Sequence, residues 1–444
     1  MIAATDTLSS DLLELLTLSQ YNTRVVLIAV GLLGASAGCA GTLLLLRKRA
    51  LLSDAMSHAT LPGLCIGFLI AGSLGMDARS PWVLLPSACM TALASLGTYL
   101  LLLKVPRIRP DAALAIVLSG WFGLGVVLLG ILQQAPNGNA GGLDSFIYGK
   151  AATIRASDTW LIAACAVLMI TTCVLLLKEL RLICFDASFA RGSGWPVWAI
   201  DGVSLCMVIL VTVVGLHAVG LILVVALLII PPVSARFWTH HFGRMMLVSA
   251  IIGFAGAVIG GGITSLVSNL PSGAVIVLVC SAIFITSLLF GADRGLVKSL
   301  LTRRRSRRKT GIDHLLRAMY EQSEHDKDAT VSKGFLSGIR TWRTPTLESI
   351  IRLARRRGFI LQTEDELRLT RAGLELGRQL TRRHRLWELY LIHHAMIDPT
   401  HVDRDADDVE HFLDASMVRR LETLLQPGEE PRSPHHLEIE DPST

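Results

Sequence analysis

Arg49-Ala50-Leu51-Leu52-Ser53-Asp54-Ala55-Met56-Ser57-His58-Ala59-Thr60-Leu61-Pro62-Gly63 opens in a basic cluster, Arg47-Lys48-Arg49, and lies between two long apolar runs. Asp54 and His58 are four residues apart, so a helix sets a carboxylate and an imidazole on one face within reach of one ion. Ionisable groups at the edge of an apolar span are costly to keep there and mark a functional position. One oxygen and one nitrogen donor suit Mn²⁺, Zn²⁺ or Fe²⁺ better than Mg²⁺ or Ca²⁺. Spacing alone leaves a second reading open, in which Asp54 after Ser53 caps a helix end.

Outward from this stretch, the chain is a membrane region followed by a soluble one. Of 444 residues 51% are hydrophobic and only 18% charged, and the charges crowd into the part after about Arg303. Apolar runs of about spanning length lie at 24–46, 56–74, 81–103, 112–134, 158–177, 196–214, 217–233, 246–266 and 273–293. The expected fold is therefore an all-α polytopic membrane protein with about nine transmembrane helices, followed by a mainly-α cytoplasmic domain. The seventh run is separated from the sixth only by a tight break at His217, which carries little weight as a site. Basic clusters at 47–49, 104–109, 178–191, 236–244 and 303–305 each follow an odd-numbered run, which sets the N-terminus outside and the tail inside. The loop at 135–157, with Asp144, is then external. Residues 1–22 read as a short amphipathic segment, too acidic for a cleavable leader. The eight cysteines show no CxxC pairing and read as small core hydrophobes. Runs of small residues, such as Gly31, Gly34, Gly38 and Gly41, and Gly253, Gly256, Gly260 and Gly261, predict close helix packing. Pro231-Pro232 ends or kinks the seventh helix. Val233–Arg244, with Arg236, Trp238 and His240, suits either a short surface helix that docks a partner or a plain loop. A GxxxxGK[ST] phosphate loop is missing, which excludes ATP hydrolysis by the chain itself.

The soluble part opens with Arg303–Lys309, an anchor on anionic lipid. A helix is predicted over 312–320 and a polar, irregular segment over 324–345. Thr346–Arg357 is a basic amphipathic helix, with Leu347, Ile350, Ile351 and Leu353 inward and Arg352, Arg355, Arg356 and Arg357 outward, ended by Gly358. Residues 359–370 predict a two-stranded wing around Glu364-Asp365. This is the order of a winged helix, whose basic helix enters the major groove of DNA, and a merely solvated basic face has the same pattern. A long helix follows over 371–394, then a turn at Asp398 and a second helix. Asp407, Glu410 and His411 share one face of that helix, and His384 and Glu388 form another i, i+4 pair. Such clusters build transition-metal sites, or are simply solvated charged faces. After about Gln426 the composition is that of a disordered tail.

Ser53–Gly63, Leu143-Asp144-Ser145-Phe146-Ile147-Tyr148-Gly149, Phe185-Asp186-Ala187-Ser188-Phe189-Ala190 and Gly220–Pro231 together resemble, in order, the pattern of the ABC-3 family over residues 15–295. These are the permease subunits of bacterial ATP-dependent importers for manganese, zinc and iron. The resemblance implies a multi-pass protein of the cytoplasmic (inner) membrane and a homo- or heterodimer with a second permease subunit. It also implies an ABC ATPase subunit at the cytoplasmic face and a periplasmic or extracellular metal-binding lipoprotein. Asp54 and His58 would line the translocation path. The loop after Pro232 would be the coupling helix, with Ser234, Ala235, Arg236, Thr239 and Gly243 at the ATPase.

Leu369-Thr370-Arg371-Ala372-Gly373, Arg382-Arg383-His384-Arg385-Leu386-Trp387-Glu388 and Val409-Glu410-His411 are similar to the metal-binding and dimerisation domain of the diphtheria-toxin-repressor family, over about 312–425. The resemblance implies metal ligands at His384, Asp407, Glu410, His411 and His314, an ancillary site at Glu388 and Asp403, and DNA contact by Arg352, Arg355 and Arg356. Arg317 departs from the pattern, standing where manganese sensors carry a carboxylate, and the region before Thr346 matches the family's helix-turn-helix poorly. The expected layout is an N-terminal segment (1–22), a permease (23–295), a basic linker (296–311), a winged-helix-like domain (312–370), a metal-binding domain (371–425) and a tail (426–444). The expected function is import of Mn²⁺, Zn²⁺ or Fe²⁺ with cytoplasmic metal sensing. The alternative is a metal-dependent transcriptional regulator tethered to, or cleaved from, the permease.

Overall fold

A computed structural model describes residues 21–74, 80–134, 154, 156–267, 270–324, 330–339, 344–363 and 366–395. The chain divides into two compact units at Ser299/Leu300.

The first unit contains α1 (Tyr21–Leu46), α2 (Leu52–Ser73), α3 (Pro81–Leu102), α4 (Pro110–Gln134), α5 (Ala156–Leu175), α6 (Leu177–Phe185), α7 (Ala187–Gly192), α8 (Val197–Val219), α9 (Leu221–Ala235), α10 (Phe242–Leu266) and α11 (Ser272–Phe290). Among the described residues, eight of these helices are long and apolar enough to span a bilayer, and α9 is a ninth, shorter apolar helix of 15 residues. The break before α9 is Gly220 at φ +87°, a backbone that only glycine adopts without strain. It does not fall at His217, which lies inside α8: the imidazole is tolerated within the helix, and the left-handed turn three residues later is what stops it. At about 1.5 Å per residue α9 is about 22 Å long, short of the ~30 Å hydrocarbon core. Its end nevertheless meets the end of α11, because the N–H groups of Asp293 and Arg294 both donate to the Phe237 carbonyl, at 3.0 and 3.3 Å. The C-terminal ends of α9 and α11 therefore lie side by side.

Helix α1 is the centre of this unit and packs against α10, α9, α5 and α8. It can because its inner stripe is glycine and alanine. A Cβ on Gly34 would run into the carbonyl of Gly253, and one on Gly38 into that of Ser249 at 2.5 Å. The Ser249 hydroxyl seals the contact by donating to the Gly38 carbonyl at 2.8 Å. Without a hydrophobic drive between helices in lipid, such close approach supplies the packing. Helices α2, α3 and α4 form a second layer. The large exposed side chains, among them Trp82, Val127, Ile131, Trp160 and Leu278, are apolar, as a lipid-facing perimeter demands.

The second unit has α12 (Leu296–Ser323, in which the division falls), β1 (Val331–Ser332), α13 (Lys333–Ile339), α14 (Thr344–Arg356), β2 (Ile360–Thr363), β3 (Glu366–Leu369) and α15 (Arg371–Ala395). Residues 296–311 are thus helical, continuous with the helix expected at 312–320. The segment expected to be irregular at 324–345 supplies β1 and α13. Strand β1 pairs antiparallel with β3, which pairs with β2, giving the sheet order β1-β3-β2. The core joins Ile312, Leu315, Leu316 and Met319 to Val331, Leu336, Leu347, Ile350, Ile351, Ile360 and Leu367. Gly358, at φ +76°, turns the chain from α14 into the wing.

Candidate functional site

Helix α2 begins after a turn through Lys48, whose φ is +57°. Its N-cap is Leu51, which makes no side-chain cap bond, so Asp54 sits inside the first turn and does not cap it. There the carboxylate meets the positive end of the helix dipole. Its Oδ1 lies 3.5 Å from His58 Nε2. Ser53, Ala55, Met56, Ser57 and Ala59 around the pair are buried, while the side chains of His58 and Asp54 keep 25% and 37% of their surface. Phe122 of α4 meets the imidazole edge-on, with ring centroids 4.8 Å apart, and orients it. Pro62 lies within α2 and has no N–H to give the His58 carbonyl four residues back, so that oxygen loses its helical donor beside the pair. The face offers a carboxylate and an imidazole. Among the described residues, no group of three or more His, Cys, Asp or Glu side chains could hold a metal.

Just before α2, Arg47 Nη2 and Arg49 Nη1 pair with the two oxygens of Asp201, at the start of α8, at 3.1 and 2.8 Å. Arg47 Nη1 also donates to the Ile183 carbonyl of α6 at 3.0 Å. One carboxylate thus ties the α1–α2 corner to α8, and one guanidinium ties it to α6.

In the second unit His384 and Glu388 are buried on α15, and Arg317 is buried on α12. Arg317 Nη1 lies 2.6 Å from His384 Nδ1, and His384 Nε2 lies 3.2 Å from Glu388 Oε1. Arg317 Nε pairs with Glu321 Oε1 at 3.3 Å. His314, half-buried, is one turn before Arg317 on α12. Asp403, Asp407, Glu410 and His411 lie outside the described residues. Arg352, Arg355 and Arg356 are exposed on α14.

The ABC 3 transport family model matches residues 19–291, more than half of the chain. The chain belongs to the ABC 3 transport family. Residues 370–441 match the iron dependent repressor metal binding and dimerisation domain. Among curated relatives, the manganese transport system membrane protein MntC of Bacillus subtilis is 33% identical over 93% of both chains. The zinc transport system membrane protein TroC of Treponema pallidum is 36% identical over 65% of this chain and 95% of its own. The solved structure of PsaBC from Streptococcus pneumoniae in complex with Fab has the same fold over 65% of this chain and 98% of its own, at 24% identity and a TM-score of 0.55. The MntC match, at 93% of this chain, reaches into the second unit.

In this ABC 3 protein the loop after Pro232 is not a helix of its own. Ser234 and Ala235 end α9 and are buried, Gly243 belongs to α10, Thr239 is buried, and Arg236 alone of the five is exposed. The turn is held down from both sides. Phe237 accepts the two N–H groups from 293–294, Trp238 Nε1 donates to Ser287 Oγ at 3.0 Å, and His240 pairs with Asp293 at 3.5 Å. A helical element with an exposed basic and aromatic face lies at α6–α7. Leu180, Ile183 and Ala190 face inward, while Lys178, Arg181, Phe185, Phe189 and Arg191 are exposed. Asp186 caps α7, its Oδ1 accepting from Phe189 N, Ser188 N and the Ser188 hydroxyl at 2.9, 3.0 and 2.6 Å. The Phe189 N–H and then the Ser188 hydroxyl hold its carboxyl below the usual range. The Phe185–Ala190 motif carried the signal for this element. A second carboxylate–imidazole pair, His217 Nε2 and Asp158 Oδ1 at 3.9 Å, joins α8 to α5 near the opposite end. Its partners are 59 residues apart, so no local spacing announced it.

Proposed function

We propose that the chain is the permease subunit of an ABC importer that moves a divalent transition metal ion through a path in which Asp54 and His58 are a ligand pair. The observation that carries the reading is this pair, one turn inside α2, with its ring oriented by Phe122 and its face otherwise closed by buried neighbours. The donor set favours Mn²⁺, Zn²⁺ or Fe²⁺, and the relatives named for manganese and zinc transport support the same class. Two side chains are too few for a tight site, which suits a path: a cargo ion must be held loosely enough to leave. Solvent or a second permease subunit would complete its coordination.

The basic clusters favour a cytoplasmic location for the α6–α7 end and for the second unit. There α6–α7, with its exposed phenylalanines between basic residues, is the surface for the ATPase, and an extracellular binding protein delivers the ion at the other end. The Arg47–Asp201–Arg49 clamp and the Arg47–Ile183 bond join that surface to the corner from which Asp54 projects. The test is uptake of radioactive Mn²⁺ and Zn²⁺ in cells lacking their own importers and supplied with the complete transporter. Uptake above background that disappears in the Asp54→Ala, His58→Ala chain, with the protein still in the membrane, is the expected result. Undiminished uptake in that chain sinks the role of the pair.

A second reading concerns the second unit and is favoured by its completed topology. Helix, strand, helix, basic helix and two-stranded wing form a winged helix with Arg352, Arg355 and Arg356 on the exposed face of α14. DNA binding by this unit, with metal at Asp407, Glu410 and His411 as its regulator, would make the chain a tethered transcriptional regulator as well. A fluorescent random-duplex pool, incubated with the full chain in nanodiscs, tests it. Enrichment of one sequence supports it, and recovery of an unselected pool rejects it.

A further inference from the structure

The two ring nitrogens of His384 are assigned by their partners. A guanidinium only donates, so Nδ1, 2.6 Å from Arg317 Nη1, is the acceptor. The ring proton is then on Nε2, which donates to Glu388 Oε1 at 3.2 Å. A metal needs a ring lone pair, and the one that this tautomer has is held by Arg317. Glu388 is engaged by the same ring, and Glu321, one turn along α12, holds the guanidinium from its other side at 3.3 Å. His384 and Glu388 are each only 2% exposed, and Arg317 7%. The result is a buried line, Glu321–Arg317–His384–Glu388, with a fixed positive charge in its middle. It does not fit a metal ion, because a second cation would have to displace the guanidinium and leave it buried beside a like charge.

We infer that Arg317 is the resident cation of this helix pair, so that α12 and α15 join without a metal and His384 is not a metal ligand. The chemistry is that of an internal charge replacing an exchangeable one. Arg385 and Glu324 reinforce the same junction from the surface with a two-pronged ion pair, at 3.1 and 2.5 Å. Gly377 allows the approach, since a Cβ there would press on Tyr320 at 2.9 Å and on the Leu316 carbonyl at 3.0 Å. Any metal response of the second unit is then confined to groups other than His384 and Glu388. This holds whether or not Asp54 and His58 carry cargo.

The experiment uses the full chain in nanodiscs with Asp54→Ala and His58→Ala in place, so that the membrane pair contributes nothing. Binding of Mn²⁺ and of Zn²⁺ is measured by equilibrium dialysis with and without His384→Ala, and with Arg317→Glu. Expected are affinities and stoichiometries unchanged within twofold by His384→Ala, and one additional site in Arg317→Glu that vanishes when His384→Ala is added. A tenfold or greater loss of affinity on His384→Ala, with Arg317 intact, overturns the inference. So does an Arg317→Glu chain that keeps its unfolding transition and gains no site. Should that variant fail to fold, ¹⁵N spectra of the histidine-labelled chain decide. A protonated Nε2 and bare Nδ1 at His384, unmoved by Zn²⁺, support it, and a Zn²⁺-induced shift at that ring refutes it.

Discussion

At the scale of single residues, the Asp54–His58 pair is a two-donor station whose geometry is set by neighbours that do not themselves bind. Replacing His58 by Gln keeps a polar side chain but removes the imidazole, and uptake is expected to fall by about tenfold or more, the range seen when the ligand shell of a metal site is disturbed. Phe122→Ala leaves both donors and frees the ring. Its expected signature is a raised KM for metal with the protein level unchanged, read in the same uptake assay. Asp54 and His58 were legible in the sequence because both lie in one turn of one helix, where spacing alone implies contact. The choice between ligand and cap was not, since it depends on whether the helix starts at Leu51 or later. Arg317 was visible only as a departure from a pattern. Its partner His384 is 67 residues away, and no local periodicity brings the two together.

At the scale of elements, packing replaces pairing. Gly38 has the Ser249 carbonyl where its Cβ would be, and backbone does not yield as a side chain does. Gly38→Ala is expected to destabilise the α1–α10 contact by about 1–3 kcal/mol, the usual penalty of overpacking. A lower midpoint in a size-exclusion thermal-stability series, compared with an alanine placed on the lipid-facing side, checks it. The cap of α7 makes a pH statement. Because the folded-state pKa of Asp186 lies below its ordinary 3.8, the cap is intact at any pH above about that value and is lost only as pH falls through the depressed one. Transport measured between pH 5.5 and 7.5 should therefore show no contribution from this group. Asp186→Ala should uncouple ATP hydrolysis from uptake across that whole range, and an Asp186→Ala transporter with normal coupling would remove α6–α7 from the ATPase surface. The long spans could be read because each is a run of apolar residues. Strand β1 could not: two residues carry no alternation, and β1 exists only through its pairing with β3. The loop after Pro232 was left open between a surface helix and a plain loop, and the structure shows a turn. Its mix of basic and aromatic residues suits a surface helix, yet Trp238 and Phe237 spend their polar groups on the end of α11.

At the scale of the whole molecule, the chain adds a second unit to a permease that matches TroC over 95% of the latter's length. Deleting residues 300–444 is expected to leave membrane insertion and metal-dependent uptake in place and to alter only their regulation, as measured by uptake after cells are preloaded with metal. A permease that no longer accumulates in the membrane would show instead that the second unit is part of the fold. Division into two units was legible from charge density alone. What the second unit reads was less so, because its basic helix has the same pattern whether it meets DNA or water, and the face is settled by function rather than by folding.

The short helix α9 has a consequence for how this protein reaches the membrane. Fifteen residues are too few to be released into lipid as an independent span by the insertion machinery, however apolar they are. Helix α9 is joined to the 23-residue α8 by Gly220 alone, and Leu223, Val224, Leu227 and Leu228 are buried against protein rather than lipid. Its backbone end at membrane depth is acceptable only when enclosed by neighbouring helices. Its partners are α1, made long before it, and α10 and α11, made after it. A nascent chain halted after Ala235 is therefore expected to have α9 only partly enclosed and still held with α8 at the translocation channel.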